Sequence, residues 1–126
     1  MAILRLSHVE IRVPDLELAT AYYNEVVGMF ETAREGDRVF LKCWDEHQHH
    51  SVVLQSAPTY GLVRMGWKLQ FFEDLDYYQA KLQEAGVFVN RLTPGEVGQG
   101  GGYSIRFNLP SGHEMELTHG MDQVGN

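Results

Sequence analysis

The stretch Leu6-Ser7-His8-Val9-Glu10-Ile11-Arg12-Val13 decides how the rest of the chain is interpreted. Its apolar residues nearly alternate with polar ones, and a period of two is typical of a β-strand with two unlike faces. His8, Glu10 and Arg12 therefore share one face of this strand. Such a face can hold a metal ion, bind an organic ligand or carry only ion pairs.

A strand, a helix and three further strands follow one another twice along the chain. The first helix begins at Asp15, a residue that can cap free backbone amides, and ends at Gly28. The second begins near Asp74 and ends at Gly86, and strands are predicted at 30–34, 38–44, 51–55, 65–71, 87–89, 103–109 and 114–118. The separation from His8 to Gly28 equals that from Gly66 to Gly86, 20 residues in each case. The two halves therefore share one register.

This repeat predicts an α+β fold of two tandem βαβββ modules, at about 1–60 and 61–120. Joined side by side, the modules would form a curved mixed sheet, or half-barrel, with the helices outside and the polar faces lining a concave cleft. The glycine-rich segment 95–102 is predicted to be a mobile loop. Residues 121–126 are expected to form a frayed tail or the stump of a linker.

The composition limits the size of the fold, the classes of partner and the location that the sequence predicts. A chain of 126 residues with 44% hydrophobic residues has room for one compact domain and its core. Its net charge of −7 and its lack of a basic run argue against a nucleic-acid partner. Neither a signal peptide nor a membrane-spanning stretch is found in the sequence, and the single Cys43 cannot form an internal disulfide. A cytoplasmic protein without a membrane partner is predicted.

Several motifs resemble a known superfamily. The paired modules, the segment 15–23 (DLELATAYY) leading to Val27-Gly28, and the segment 110–117 (PSGHEMEL) resemble the vicinal oxygen chelate superfamily. Three further segments resemble the N-terminal domain of catechol 2,3-dioxygenase, an extradiol ring-cleaving enzyme: 7–13 (SHVEIRV), 38–44 (RVFLKCW) and 65–68 (MGWK).

The resemblance implies a specific set of metal-ligand positions. In the family, ferrous iron is held by a histidine on the first strand of one module, a histidine on the first strand of the next and a glutamate on the final strand. Carried onto this sequence, these positions are His8, Gly66 and Glu116. Glycine offers no ligand, so a 2-His-1-carboxylate site is one ligand short. The resemblance also implies that the iron lies in a second domain, and that the chain stops where that domain would begin.

A polar cluster is the favoured interpretation of the remaining cleft residues. By strand parity Glu10, Lys68 and Glu116 face the concavity together with Arg12, and the Lys68 ammonium is expected to take the place of a cation between the two carboxylates. A buried carboxylate needs such a partner.

Other candidate residues are assigned structural or open roles. His47, His49 and His50 are expected in a solvated acidic loop rather than in a metal site, which needs fixed geometry. Cys43 is expected to be a small core residue. His113 is predicted to be exposed beside a turn, and His119 lies at the start of the tail. The roles of both stay open, and contact with a neighbouring domain is one alternative.

The predicted function is that of the iron-free N-terminal domain of an extradiol dioxygenase in aromatic-compound degradation, with a structural or assembly role. Its partners would be a C-terminal catalytic domain or a second copy of the chain, and a catechol-type substrate in the complete enzyme. Two alternatives stay open. One is a dimeric vicinal oxygen chelate metalloenzyme that completes its Fe²⁺ site across subunits, and the other is a metal-free ligand-sequestering protein of the bleomycin-resistance type.

Overall fold

The computed structural model describes residues 2–124 as one sheet with helices against it. Eight strands occur in the order Ile3–Val13 (β1), Phe30–Glu35 (β2), Arg38–Lys42 (β3), Val52–Ser56 (β4), Gly61–Leu69 (β5), Asn90–Leu92 (β6), Tyr103–Asn108 (β7) and Glu114–His119 (β8). The helices are Leu16–Tyr22 (α1), Asp74–Glu84 (α2) and Pro94–Val97 (α3), and a π-helical turn, Tyr23–Val27, continues α1. The predicted α+β class with a curved mixed sheet is confirmed.

Helix α1 begins and ends where its sequence signals lie. The Asp15 side chain accepts a hydrogen bond from the Leu18 amide, which satisfies one of the free donors of the first turn. Gly28 ends the π-helical turn with a φ of 93°, a left-handed conformation that glycine adopts without a steric penalty.

The second module differs in detail from the prediction. Asp74 is the first residue of α2, and its carboxylate accepts hydrogen bonds from the backbone amides of Phe71 and Ala2 instead of capping the helix. The strand predicted at 87–89 is wrong, because β6 begins at Asn90 and Phe88 is exposed.

The sheet places the first strands of the two modules at its centre. The strand order is β2-β3-β4-β1-β5-β8-β7-β6. Strands β1 and β5 are antiparallel with His8 opposite Gly66, and β5 and β8 are parallel with Gly66 opposite Glu116. The three positions that the resemblance assigned to metal ligands therefore lie side by side across three adjacent strands.

Each module buries its own apolar core between sheet and helix. In the first, the buried residues are Val13, Met29, Val39, Leu41 and Leu54. In the second, they are Leu69, Leu75, Ile105 and Leu117. The strand faces that do not carry these residues are left for the polar side chains of the concave side.

The glycine-rich segment is held in place, so its prediction as a mobile loop is wrong. It contains α3, whose first turn has a capping box formed by Thr93 and Glu96. Gly102 has no room for a Cβ, which would lie 2.3 Å from the His119 carbonyl oxygen. We refer to residues 94–102 as the lid.

The chain after β8 is also held in place, and the predicted frayed tail is wrong for residues 121–124. The Asp122 carbonyl accepts a hydrogen bond from the His49 amide at 2.8 Å, and the Asp122 amide donates to the Gly100 carbonyl at 2.9 Å. The Val124 amide donates to the His47 carbonyl. Gly125 and Asn126 lie outside the described residues.

Within the described residues, every helix is too short or too polar to cross a membrane.

Candidate functional site

Gly66, which lies opposite both His8 and Glu116 in the sheet, has no space for a side chain. A Cβ atom placed on Gly66 would lie 2.2 Å from Cε1 and 2.6 Å from Nε2 of His8. The His8 ring therefore occupies the volume in which a side chain at position 66 would begin. His8 is itself buried, and its Nδ1 lies 3.1 Å from the Ser7 hydroxyl, which fixes the ring orientation.

Glu116 is buried among groups that compensate its charge. Its Oε2 lies 3.4 Å from Nε2 of His8 and accepts a hydrogen bond from the Ser104 hydroxyl at 3.2 Å. Its Oε1 accepts from Nε of Arg106 at 2.6 Å. Burial by itself raises the pKa of the Glu116 carboxyl, but the hydrogen bond and positive charge of His8, together with Arg106, outweigh burial and lower that pKa to about 2.

Glu10 forms the second compensated carboxylate. Its side chain is 4% exposed, and its Oε1 accepts hydrogen bonds from Arg38 and Arg64, each at 2.8 Å. Arg64 also donates from Nε to Glu114 at 2.6 Å. The cations of the cluster are therefore arginines on β3, β5 and β7, and the expectation that Lys68 lies between the two carboxylates is wrong.

Lys68 and Arg12 lie apart from this cluster. Lys68 lines a separate cavity with Ser7, Gln48 and Thr118. The Arg12 guanidinium lies over Gly61, whose Cβ would be 1.8 Å from one guanidinium nitrogen, and it lines a surface cavity beside α1.

Two of the three loop histidines are packed, so the predicted solvated loop is wrong for them. The His50 ring is buried, with ring centroids 5.4 Å from His8 and 4.9 Å from Phe40. Burial lowers the pKa of His50, the charges of His8, His49 and Arg38 act in the same direction, and the result is a pKa of about 3. Burial also lowers the pKa of His49, whose Nδ1 lies 2.8 Å from Nδ1 of His50. His47 is exposed, as predicted.

The cluster fills the middle of the concave side. The space left between its side chains is about 10 Å³, which is at the lower limit for one water molecule. Val97 and Gly101 of the lid and Met121 of the segment after β8 also line this space. An aromatic ring does not fit there, which argues against ligand sequestration at the cluster.

The donor set does not fit an iron site. The middle ligand position carries no side chain and is covered by the His8 ring, and Glu116 already accepts hydrogen bonds from Arg106 and Ser104. Within residues 2–124, no group of three or more His, Cys, Asp or Glu side chains is arranged to hold a metal ion. The chemistry that this arrangement supports is charge compensation in a closed polar core.

The sequence did not predict that Arg38, Arg64 and Arg106 pair with the buried carboxylates, although strand alternation places two of them on the concave face. Arg64 lies two residues before Gly66, and Arg106 alternates with Ile105 and Phe107, so strand parity assigns both to the concave face. His50 could not have been found this way, because it lies in a loop whose path depends on the tail.

The remaining predicted residues lie at the surface or near it. Cys43 is exposed after β3, so its prediction as a core residue is wrong. His113 is exposed, and its Nδ1 lies 2.8 Å from the Ser111 hydroxyl. His119 is half-buried at the end of β8, 6.3 Å from the Phe72 ring centroid.

Known proteins share this sequence pattern. The family described as the catechol 2,3-dioxygenase-like N-terminal domain matches residues 64–119. Metapyrocatechase of Pseudomonas sp. (strain CF600) is 36% identical over 124 residues, 98% of this chain and 40% of the relative. The manganese-dependent 2,3-dihydroxybiphenyl 1,2-dioxygenase of Geobacillus genomosp. 3 is 29% identical over 121 residues, 96% of this chain and 38% of the relative.

Solved structures share the fold. The 2,3-dioxygenase LapB from Pseudomonas sp. KL28 matches with a TM-score of 0.94 and 37% identity, over 100% of this chain and 44% of the other. Homoprotocatechuate 2,3-dioxygenase from Brevibacterium fuscum, in its complex with 3,4-dihydroxyphenylacetate, matches with a TM-score of 0.90 and 29% identity, over 97% of this chain and 38% of the other.

The chain has the vicinal oxygen chelate fold of these solved structures. Its sequence is similar to the N-terminal domain of catechol 2,3-dioxygenase-like proteins. It spans about 40% of the length of the curated relatives that it matches.

The contact between His8 and Gly66 gives a first prediction. Replacement Gly66→Ala is expected to lower the free energy of unfolding by about 1–3 kcal/mol, because the added methyl group overpacks a buried ring. Urea unfolding measures this change. In the variant His8→Ala, which removes the ring, the same Gly66→Ala substitution should cost much less.

Gly95 provides the matched control. A Cβ on Gly95 meets nothing within 4 Å, so Gly95→Ala is expected to leave the stability nearly unchanged. If Gly66→Ala is as stable as the parent chain, the ring does not occupy that position.

Proposed function

We propose that this chain acts as the metal-free N-terminal domain of an extradiol dioxygenase assembly in aromatic-compound degradation. Its role there is to shape and stabilise the assembly. The observation that carries the proposal is the state of the three ligand positions: His8 and Glu116 are retained, but the His8 ring fills the space above Gly66. The same residues that would hold iron serve as a closed polar core.

The chemistry of ring cleavage would belong to a second, iron-bearing unit. The curated relatives named as dioxygenases or metapyrocatechases are more than twice as long as the matched region, so they have further chain to hold such a unit. In this chain the cluster leaves about 10 Å³, too little for a catechol ring. A cytoplasmic location remains a prediction from the sequence.

Metal content tests the proposal. The purified chain is incubated anaerobically with Fe²⁺, desalted and assayed for iron per chain and for extradiol cleavage of catechol. We expect far less than one iron per chain and no cleavage, because the donor set is one ligand short. Metapyrocatechase from Pseudomonas sp. (strain CF600), treated in parallel, is the positive control. One iron per chain together with catechol cleavage would replace the proposal by an active stand-alone enzyme.

The assembly role has a separate test. The C-terminal part of that metapyrocatechase, beyond the region that this chain matches, is mixed with the chain and examined by size-exclusion chromatography with light scattering. A complex of the two is expected. Persistent separation of the two components, each shown to be folded by circular dichroism, would contradict the assembly role.

A further inference from the structure

A second cavity opens on the concave side, at the edge of the closed cluster. Its volume is about 270 Å³, far larger than the space inside the cluster and close to the lower limit for small-ligand sites. It lies at the carboxyl end of β8 and is bordered by the chain that follows that strand. Side chains from β1, β5, β8 and the loop after β3 line it, among them Ser7, Gln48, Lys68, Thr118 and His119.

Lys68 supplies the fixed charge among the residues that line this cavity. In the part of the chain that the structure describes, the lining residues include Lys68 and His119 and no carboxylate. Arg5 adjoins the cavity through Gln48, because its guanidinium donates to Oε1 of that side chain at 2.8 Å. Asp122 follows Met121 in the sequence, but it is exposed and does not line the cavity. A lining that carries Lys68 and no carboxylate favours an anion.

Among residues 2–124, the Lys68 ammonium lacks the compensation that the neighbouring cations have. Arg38, Arg64 and Arg106 each pair with at least one carboxylate of the cluster. For the Lys68 ammonium, no side-chain hydrogen bond or ion pair is found within residues 2–124. Lys68 as a residue is half-buried, so an anion beside it would be attracted with less screening than at an exposed lysine.

The floor of the cavity is built from buried polar groups with fixed positions. The Ser7 hydroxyl lies 3.1 Å from Nδ1 of His8, and the Thr118 hydroxyl donates to the Tyr103 carbonyl at 3.2 Å. Gln48 is 4% exposed and donates from Nε2 to the Ser7 carbonyl at 3.1 Å. These hydrogen bonds fix the positions of the wall residues. The Lys68 ammonium is the group in the wall that can donate hydrogen bonds to a bound anion.

From this arrangement we propose that the cavity binds a small oxyanion, a carboxylate or a phosphate, with Lys68 as its main charged contact. The cavity accommodates a short organic substituent besides the anionic group. The site is distinct from the three family ligand positions and does not depend on the assembly role proposed above.

Titration of the chain with two anions tests the site. Inorganic phosphate and sodium propionate are added separately at matched ionic strength, with sodium chloride as the reference, and backbone amide shifts are followed by NMR. We expect saturable shifts around Lys68, His119 and Gly120 for at least one of the two anions. Phosphate alone or propionate alone identifies the source of the oxyanion, and the absence of saturable shifts for both overturns the proposal.

Variants locate the charge. Lys68→Met is expected to weaken binding about tenfold or more, since a charge-assisted hydrogen bond is lost. Lys68→Arg keeps the charge and should retain binding, and Lys68→Gln serves if the methionine variant does not fold. Lys81→Met, which removes an exposed lysine beside Tyr77 on α2, is the matched control and should bind as the parent chain does. Equal affinity in the Lys68→Met or Lys68→Gln variant would overturn the assignment.

Discussion

Replacement Glu10→Ala is expected to lower the free energy of unfolding by about 3–5 kcal/mol, measured by urea or thermal unfolding. The carboxylate is buried and holds Arg38 and Arg64 on one oxygen atom, each at 2.8 Å. Without it, two guanidinium groups that are 20% and 15% exposed face each other with no carboxylate between them. The partners that remain, Glu35 for Arg38 and Glu114 for Arg64, are 43% and 35% exposed and compensate buried charge less well than Glu10 does. The cost therefore comes from poorly compensated buried charge, more than from losing the attraction itself.

Two further variants separate this effect from a general loss of charge. Exchange of Glu10, Arg38 and Arg64 together for methionine should restore much of the stability, because it removes the buried charges along with their partner. Glu31→Ala breaks a more exposed pair with Arg34, in which both side chains are 36% exposed, and should cost less than about 1 kcal/mol. A loss for Glu10→Ala as small as that for Glu31→Ala would contradict the buried network.

Acidification is expected to destabilise the protein well above the pH at which carboxylates titrate. The pKa of His50 is lowered from 6.5 to about 3, mainly by burial. Between these two pH values, the unfolded chain binds a proton at His50 and the folded chain does not. Stability therefore falls as the pH falls below 6.5. The expected loss between pH 7.5 and pH 5 is about 2 kcal/mol for this residue.

Protonation of Glu116 also lowers the free energy of unfolding, but in a lower pH range. Its folded pKa is lowered to about 2 from 4.5, so it stabilises the fold above 4.5, and this stabilisation is lost as the pH falls toward 2. The two groups are thus separable by measuring the free energy of unfolding against pH.

The variant His50→Gln isolates the upper part of this pH dependence. Its stability should change much less between pH 7.5 and pH 5 than that of the parent chain, whatever its absolute value. His47→Gln, a change at the exposed histidine of the same loop, should keep the full dependence. An undiminished dependence in His50→Gln would show that another group binds the proton.

The fold was predictable because its signals are local and occur twice. Alternation in β1, the cap at Asp15 and the stop at Gly28 each have a direct physical cause. The order of strand and helix that they mark recurs in the second module and supports one architecture. The site was predictable only in part. Strand parity places Glu10 and Glu116 in the concavity, but it does not say which of several cations reaches them.

The errors share a physical cause. His50 is buried, and residues 94–102 and 121–124 are held in place, through mutual contacts between segments far apart in sequence, such as the hydrogen bonds from His49 to Asp122 and from Asp122 to Gly100. A loop sequence rich in polar residues or glycine favours solvent when it is considered alone. Only the folded arrangement supplies the partners that exclude water.

The two terminal strands of the sheet limit how this protein can associate. β2 has a register irregularity between Glu31 and Ala33 and carries charged side chains, and β6 is only three residues long. Short, irregular and charged borders discourage the backbone pairing that drives edge-to-edge aggregation. Another chain or domain would therefore attach through side-chain packing on a helix or a sheet face, and not by extending the sheet with a ninth strand.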